Sequence, residues 1–320
     1  MEYIDVFNGD ADGICALHQL RLASPVEQSR LITGVKRDIR LLRQLSGVRG
    51  ARITVLDISL DRNRPELEQL LAADNQLVYI DHHYSGDIPD SPALEVRIDP
   101  SEQTCTSLLV DTLLGGQHTT WALAGAFGDN LDEVAAERGR KIGLNSDQLE
   151  CLREIGQLLN YNGYGFSTED LLIHPAELFR EVQPYEDPLD FYHQSRTLEM
   201  LQQGYDNDMG QARELTPLRE TEGSRIFQLP NQPWSRRVVG VFSNLIAREQ
   251  PTKAHAVVIV NHDQSLRISV RAPMNKRKGA DQLCRQFPSG GGRAAAAGIN
   301  SLPAELVEQF YRQFSDHFSR

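Results

Sequence analysis

Disulfide chemistry has little to work with in this chain. Its four cysteines, Cys15, Cys105, Cys151 and Cys284, are far apart in 320 residues and form no C-x-x-C pair. Neither a zinc ribbon nor a disulfide framework is expected, and buried thiols in a reducing cytosol are the default. Long apolar stretches are missing too: no run approaches the roughly 20 residues needed to cross a bilayer. The opening MEYIDVF carries an early acidic residue and enters a strand pattern at once, unlike a secretory signal. A cytoplasmic protein without a membrane partner is expected. Positive charge is in deficit, with 33 Lys and Arg against 44 Asp and Glu and a net charge of -11, which argues against a broad grip on duplex nucleic acid. There is no internal repeat, and the alanines at 294–297 are too few to count as low complexity. What remains is an ordinary globular composition, long enough for two domains at about 150 residues each.

Acidic residues are placed with a pattern. Asp10 and Asp12 follow the apolar run YIDVF, Asp57 follows ITVL, and Asp81-His82-His83 closes LVYI. Strand patterns at 3–8, 30–35, 52–58, 76–83 and 94–98 alternate with helical ones near 13–23, 38–46 and 62–73, which predicts a doubly wound parallel sheet. Ligands of such sheets bind outside the carboxyl ends of the strands. Carboxylates on three different strand ends therefore converge in space. A single Asp there is usually a turn residue or a helix cap, but capping does not explain repeated acidity at one level or a His-His pair beside it. Crowded carboxylates repel one another and need a cation. Several oxygens with one or two imidazoles suit a pair of divalent ions, Mn²⁺ first among them.

After Pro100 the pattern turns helical, and TTWALAGAFGDN ends on Asp129. From Ser224 onward the character changes again: HAVVIVN and LRISVRA read as a hairpin, GADQLCRQF as a short helix and SLPAELVEQFYRQFSDHF as a terminal amphipathic helix. The expected division is a catalytic domain over 1–195, a helical connector over 196–223 and a smaller α/β domain over 224–320, with a cleft between the domains. Between Gln264 and Arg293 stand Arg267, Arg271, Lys276, Arg277, Lys278, Arg285 and Arg293 against Asp281 alone, seven minus one, a local excess of +6. Such a segment in an acidic protein suits a small anionic ligand better than a long polymer. Gly290-Gly291-Gly292-Arg293 reads as a loop whose amides approach an anion. Arg293 and Arg271 add planar charged forks suited to phosphate.

NGDADG, the Asp57 strand end, DHH at 81–83, Asp129 closing GAFGDN, ISVRA and GGGRAAAAG occur in the order in which the DHH/DHHA1 phosphoesterase family carries its motifs. The chain resembles that family over nearly its whole length. The resemblance implies two Mn²⁺ ions bridged by Asp57, with Asp10 on the first ion and Asp12, His82 and Asp129 on the second. It implies His83 beside the scissile phosphate, Asp81 orienting the site, and Arg271 with the GGGR segment gripping substrate. Two departures stand out. Val6 and Asn8 occupy positions where many members have His or Asp, which leaves Asn8 a weak ligand of the first ion. Arg293 replaces the usual His, which favours an electrostatic role because guanidinium does not release a proton near neutral pH. The activity expected is hydrolysis of very short linear nucleotides, pGpG or di- to tetraribonucleotides, to mononucleotides. A pAp phosphatase or pyrophosphatase, and a catalytically weak nucleotide-binding sensor, are the alternatives. A homodimer is left open.

Overall fold

The computed structural model describes residues 1–319 and divides the chain into two compact units, Met1 to Gly204 and Tyr205 onward. The first unit opens with strands β1 (Tyr3–Phe7), β2 (Arg30–Ile32), β3 (Arg52–Leu56), β4 (Gln76–Asp81) and β5 (Leu94–Ile98). They pair in parallel in the order β2-β1-β3-β4-β5. β1, β3 and β4 are almost wholly buried and apolar, as a parallel sheet covered on both faces requires.

Helix α1 (Ala11–Ala23) follows β1 and α2 (Leu60–Leu71) follows β3. One face of the sheet packs Ile4, Val6, Ile53 and Val55 against Leu60 and Leu67 of α2 and against Leu41, Leu42 and Leu45, which form a 3-10 turn rather than the α-helix expected near 38–46. The other helices of this unit are α3 (Thr106–Leu113), α4 (Thr119–Gly128), α5 (Asp132–Lys141), α6 (Ser146–Gly163), α7 (Pro175–Val182) and α8 (Pro188–Gln194). Helix α9 (Arg196–Arg213) runs through the division between the units. The segment 196–223, expected as a connector, spans this division. Its early part belongs to the first unit, and β6 (Arg219–Glu220) pairs with β7 (Ser224–Gln228) of the second unit because a strand edge left bare would leave backbone groups unpaired.

The second unit continues with α10 (Pro233–Glu249), β8 (Ala254–Val260), β9 (Leu266–Arg271), α11 (Ala280–Cys284), β10 (Gly290–Gly292), β11 (Ala296–Leu302) and α12 (Val307–Phe318). Its sheet runs β10-β11-β9-β8-β7-β6, with β8 and β9 the expected antiparallel hairpin. Ala256, Val258, Ile268 and Val270 point into a core closed by Leu283 and by Phe310 and Phe314 of α12. No helix among the described residues is long and apolar enough to cross a membrane.

One crossing in the first unit sets the position of Asp129. A Cβ on Gly156 of α6 would lie 2.2 Å from the Ala124 carbonyl oxygen and 2.7 Å from the Gly128 nitrogen, both backbone atoms of α4. The two helices touch backbone to backbone, and the last turn of α4 is held there by the contact. Gly156→Ala is expected to force them apart and to cost roughly 1–3 kcal/mol, the range for overpacking a tight core. Urea denaturation measures it, and unchanged stability would mean that the crossing has slack.

Candidate metal centre

The carboxyl ends of β1, β3 and β4 each release the chain into a turn that carries an acid. Asp10 caps α1, its Oδ1 accepting from the Gly13 N–H at 3.1 Å. Asp12, in the first turn of α1, is fully buried. Its two oxygens accept from the Thr106 and Ser107 N–H groups, each at 2.8 Å. Those are free amides of the N-terminus of α3, where a negative charge is favoured. Asp57 takes a left-handed conformation with φ 58°, which an aspartate tolerates better than most residues. Its N–H still completes the ladder to the Ile80 carbonyl at 3.1 Å. The chain thus turns sharply out of β3 and leaves the Asp57 carboxylate over the sheet end, where the Thr106 hydroxyl donates to it at 3.2 Å.

His82 gathers these groups. Its Nε2 lies 3.4 Å from Asp57 Oδ1, 3.7 Å from Asp129 Oδ2 and 4.0 Å from Asp12 Oδ2. Ligand atoms about 2.1 Å from a common ion stand roughly 3–3.5 Å apart, so a small contraction turns this arrangement into a coordination shell. Two sets of ligand atoms lie within 4.8 Å of one another: Asp12, His82 and Asp129, and Asp57, His82 and His83. His83 donates or accepts through Nδ1 at 2.7 Å from Asp81 Oδ1, and the other Asp81 oxygen is buried without a hydrogen bond. Asn8 is buried, gives its Nδ2 to the Lys36 carbonyl at 3.3 Å and keeps Oδ1 unpartnered.

The electrostatics are those of a crowd of acids. Burial, and then the neighbouring Asp12 and Asp10, push the Asp57 carboxyl well above the usual carboxylate range. Burial and Asp12 raise Asp129 to about 6, against the pull of Lys36. Burial alone would raise Asp10 as well, but Lys36 outweighs it and holds the carboxyl low. The hydrogen bond to Asp81 raises His83 above its ordinary value. An oxygen-rich set with one imidazole, under mutual repulsion, fits a hard or borderline divalent cation such as Mn²⁺.

Sequence reasoning missed Lys36, Asn160 and Thr106. Lys36 Nζ reaches Asp10 Oδ2 at 2.6 Å, Asn160 Oδ1 at 3.1 Å and Asp129 Oδ1 at 3.5 Å. The usable signal was its place four residues past β2, at the same end of the sheet as the acids. Thr106 follows Cys105 at the start of α3, a position that carries no recognisable ligand pattern.

The second unit arranges the other candidates differently from expectation. Gly290, Gly291 and Gly292 form not a loop but strand β10, paired antiparallel with β11. A Cβ on Gly290 would meet the Cys284 carbonyl oxygen at 1.8 Å, and Gly292 has φ 135° with the Ala297 Cα 2.5 Å from any Cβ, so these two glycines serve close packing. Gly291 has open space around it. Arg293 exchanges both backbone hydrogen bonds with Ala296 across the hairpin, and Ala296 pairs with Arg271 on β9. Residues opposed in this way share a face, which puts both arginines in one row. Arg271 is held by Asn244 Oδ1 at 2.8 Å and Ser269 Oγ at 3.0 Å, whereas Arg293 is exposed.

No family model matches the sequence, and no curated protein does. Solved structures do match the fold. The exonuclease RecJ bound to manganese superposes with a TM-score of 0.65 at 16% identity, covering 100% of this chain and 90% of that one. RecJ of Thermus thermophilus in complex with Mn²⁺ gives 0.66 at 17%, covering 100% and 52%. The pGpG-specific phosphodiesterase PggH from Vibrio cholerae gives 0.57 at 12%, covering 99% of each chain. The chain shares the fold of these structures, a parallel five-stranded sheet with helices followed by a second, smaller sheet. In this fold the candidate ligands lie at the carboxyl end of the first sheet, and Arg271 and Arg293 lie in the second.

The Asp129 carboxyl gives a test with a definite sign. A carboxyl raised from 3.8 to about 6 contributes stability that is present below about pH 4 and lost as pH rises through 6. Asp129→Asn removes that loss. Without divalent ions the variant is expected to be more stable than the parent at pH 7.5, by roughly 1–3 kcal/mol, with the difference closing toward pH 4. Its Mn²⁺-induced rise in Tm should shrink. A parent more stable than the variant at pH 7.5 without metal would contradict the repulsion described here.

Proposed function

We propose that this protein is a divalent-cation-dependent phosphodiesterase that hydrolyses very short linear nucleotides, pGpG or di- to tetraribonucleotides, to mononucleotides. The observation that carries the proposal is the set of Asp12, Asp57 and Asp129 oxygens within 4.0 Å of His82 Nε2, at the strand ends of a phosphoesterase fold. A divalent ion held by these four residues supplies Lewis acidity toward a phosphoryl oxygen and activates water. Thr106 fixes the Asp57 carboxylate through its hydroxyl. Asp81 fixes His83 through Nδ1, so Nε2 is the atom through which His83 exchanges a proton. Nε2 is then the atom from which a proton could pass to a departing nucleotide oxygen. Lys36 compensates Asp10 and Asp129. Arg271 and Arg293, on one face of the second sheet, are the proposed phosphate-binding groups.

Short substrates are favoured by two facts. The net charge of -11 disfavours a long polyanion, while the basic residues concentrate between Arg267 and Arg293. Among the neighbours, PggH is pGpG-specific and is matched over 99% of its length. Purified protein with Mn²⁺ is expected to turn over pGpG and other dinucleotides faster than oligonucleotides longer than about ten residues, a length toward the upper end for a single binding module. Equal or faster digestion of the longer chains would sink the substrate assignment. Phosphate release from pAp or pyrophosphate exceeding mononucleotide release from pGpG would move it to a phosphatase.

Arg293 tests the second unit separately. If its guanidinium stabilises charge on the reacting phosphate, Arg293→Ala should lower kcat/KM by about 2–4 kcal/mol of transition-state stabilisation. Arg293→His should recover part of the loss, more at lower pH where the imidazole is charged. Unchanged kinetics in the alanine variant would leave Arg293 as an exposed hairpin residue.

A further inference from the structure

Lys36 is built into the acid cluster from both ends. Its N–H donates to the Gly163 carbonyl at 2.9 Å, and its own carbonyl accepts from Asn8 Nδ2 at 3.3 Å. Asp10 Oδ2, Asn160 Oδ1 and Asp129 Oδ1 surround Nζ at 2.6, 3.1 and 3.5 Å, which matches the three donors of an ammonium group. Asn160 is itself held by its Nδ2 donating to the Tyr164 hydroxyl at 2.8 Å.

The partners of Asp10 matter most here. One of its oxygens accepts from the Gly13 N–H and the other from Lys36, and the Asp57 carboxyl lies beside it. Among the described residues, neither set of mutually close ligand atoms includes Asp10, and both sets use His82. A neutral imidazole has one lone pair to give, so His82 serves a single ion through Nε2. Asn8, which precedes Asp10 at the mouth of β1, brings no charge and spends its amide on the backbone of Lys36. Lys36 Nζ stands 2.6 Å from Asp10 but 3.5 Å from Asp129, so a divalent ion on Asp10 would bear more of the ammonium's repulsion than one on Asp129.

We infer that Lys36 is a resident cation of this centre, taking the place of a first metal ion, so that the protein binds one divalent ion, on Asp12, Asp57, His82 and Asp129. The expected pair of ions thereby becomes one ion and one lysine. The inference rests on the metal-centre reading of the same cluster but not on any substrate. A lysine charge cannot be chelated away, so part of the positive charge that balances these acids is present before metal arrives. The rival arrangement is specific: a second ion would take Asn8 Oδ1, the buried oxygen without a hydrogen bond, together with Asp10.

Equilibrium dialysis of the full chain against Mn²⁺ without substrate, with metal read by mass spectrometry, tests this directly. The expected result is one ion per chain at saturation, lost in His82→Ala, with the electron paramagnetic resonance spectrum of an isolated Mn²⁺. Lys36→Met combined with Asn8→Asp, which frees Asp10 and adds a carboxylate, is expected to bind two ions and to show a spin-coupled pair. Two ions on the parent chain, one of them lost in Asn8→Ala, would overturn the inference. So would a double variant that folds and still binds one. Binding of no ion by the parent would overturn both this inference and the metal-centre reading, whereas one ion without turnover of pGpG would overturn only the substrate.

Discussion

Repulsion among buried carboxylates is the constraint around which the first unit is organised. Asp10, Asp12 and Asp57 are at most 2% exposed, and Asp129 lies beside them. In a low-dielectric site such acids either protonate or acquire compensating charge. The structure shows both responses within a few ångströms. Asp10, next to Lys36, is held ionised, while Asp57, which faces other carboxylates, is pushed upward. The carboxylates that Lys36 compensates least, Asp57 above all, are therefore those to which a divalent cation would bring most.

Holding the acids in place takes much of the surrounding architecture. Two helix N-termini point at them: α1, capped by Asp10, and α3, whose first amides bind both oxygens of Asp12. The α4–α6 crossing at Gly156 fixes the chain just before Asp129, and the left-handed turn at Asp57 takes that residue out of line with β3. Each device costs something locally, in strain, in buried charge or in a core position restricted to glycine. Together they keep these carboxylate oxygens near one imidazole, the fixed geometry that the proposed metal site would call for.

Much of this was legible in the sequence because period and position carry it. Five apolar runs separated by helix-length segments dictate the parallel sheet, and acids just past three of those runs have only one place to go. The basic stretch and the β8–β9 hairpin were equally plain from alternation around HDQS. Lys36 was not legible, because it follows a three-residue strand with a weak apolar signal, and a single lysine in a loop carries no pattern. The glycines at 290–292 misled for a physical reason: glycine serves both for close approach to an anion and for close packing of backbone, and only the neighbours at Cys284 and Ala297 show which demand rules here.

That last distinction changes what the second unit offers a phosphate. With Gly290 and Gly292 closely packed, the arginine side chains are the phosphate contacts proposed for this unit. Arg271, braced by Asn244 and Ser269, is a fixed fork, whereas Arg293 on the hairpin is exposed and able to adjust. Open space at Gly291, beside the same hairpin, leaves room for a ligand to approach the sheet face closely. In the proposed function the braced arginine would set the position of a phosphate, and the exposed one would answer charge that develops on it. In the first unit His82 Nε2 faces the carboxylates, while His83 is tied to Asp81 through Nδ1, which leaves Nε2 as the atom the proposed proton transfer would use.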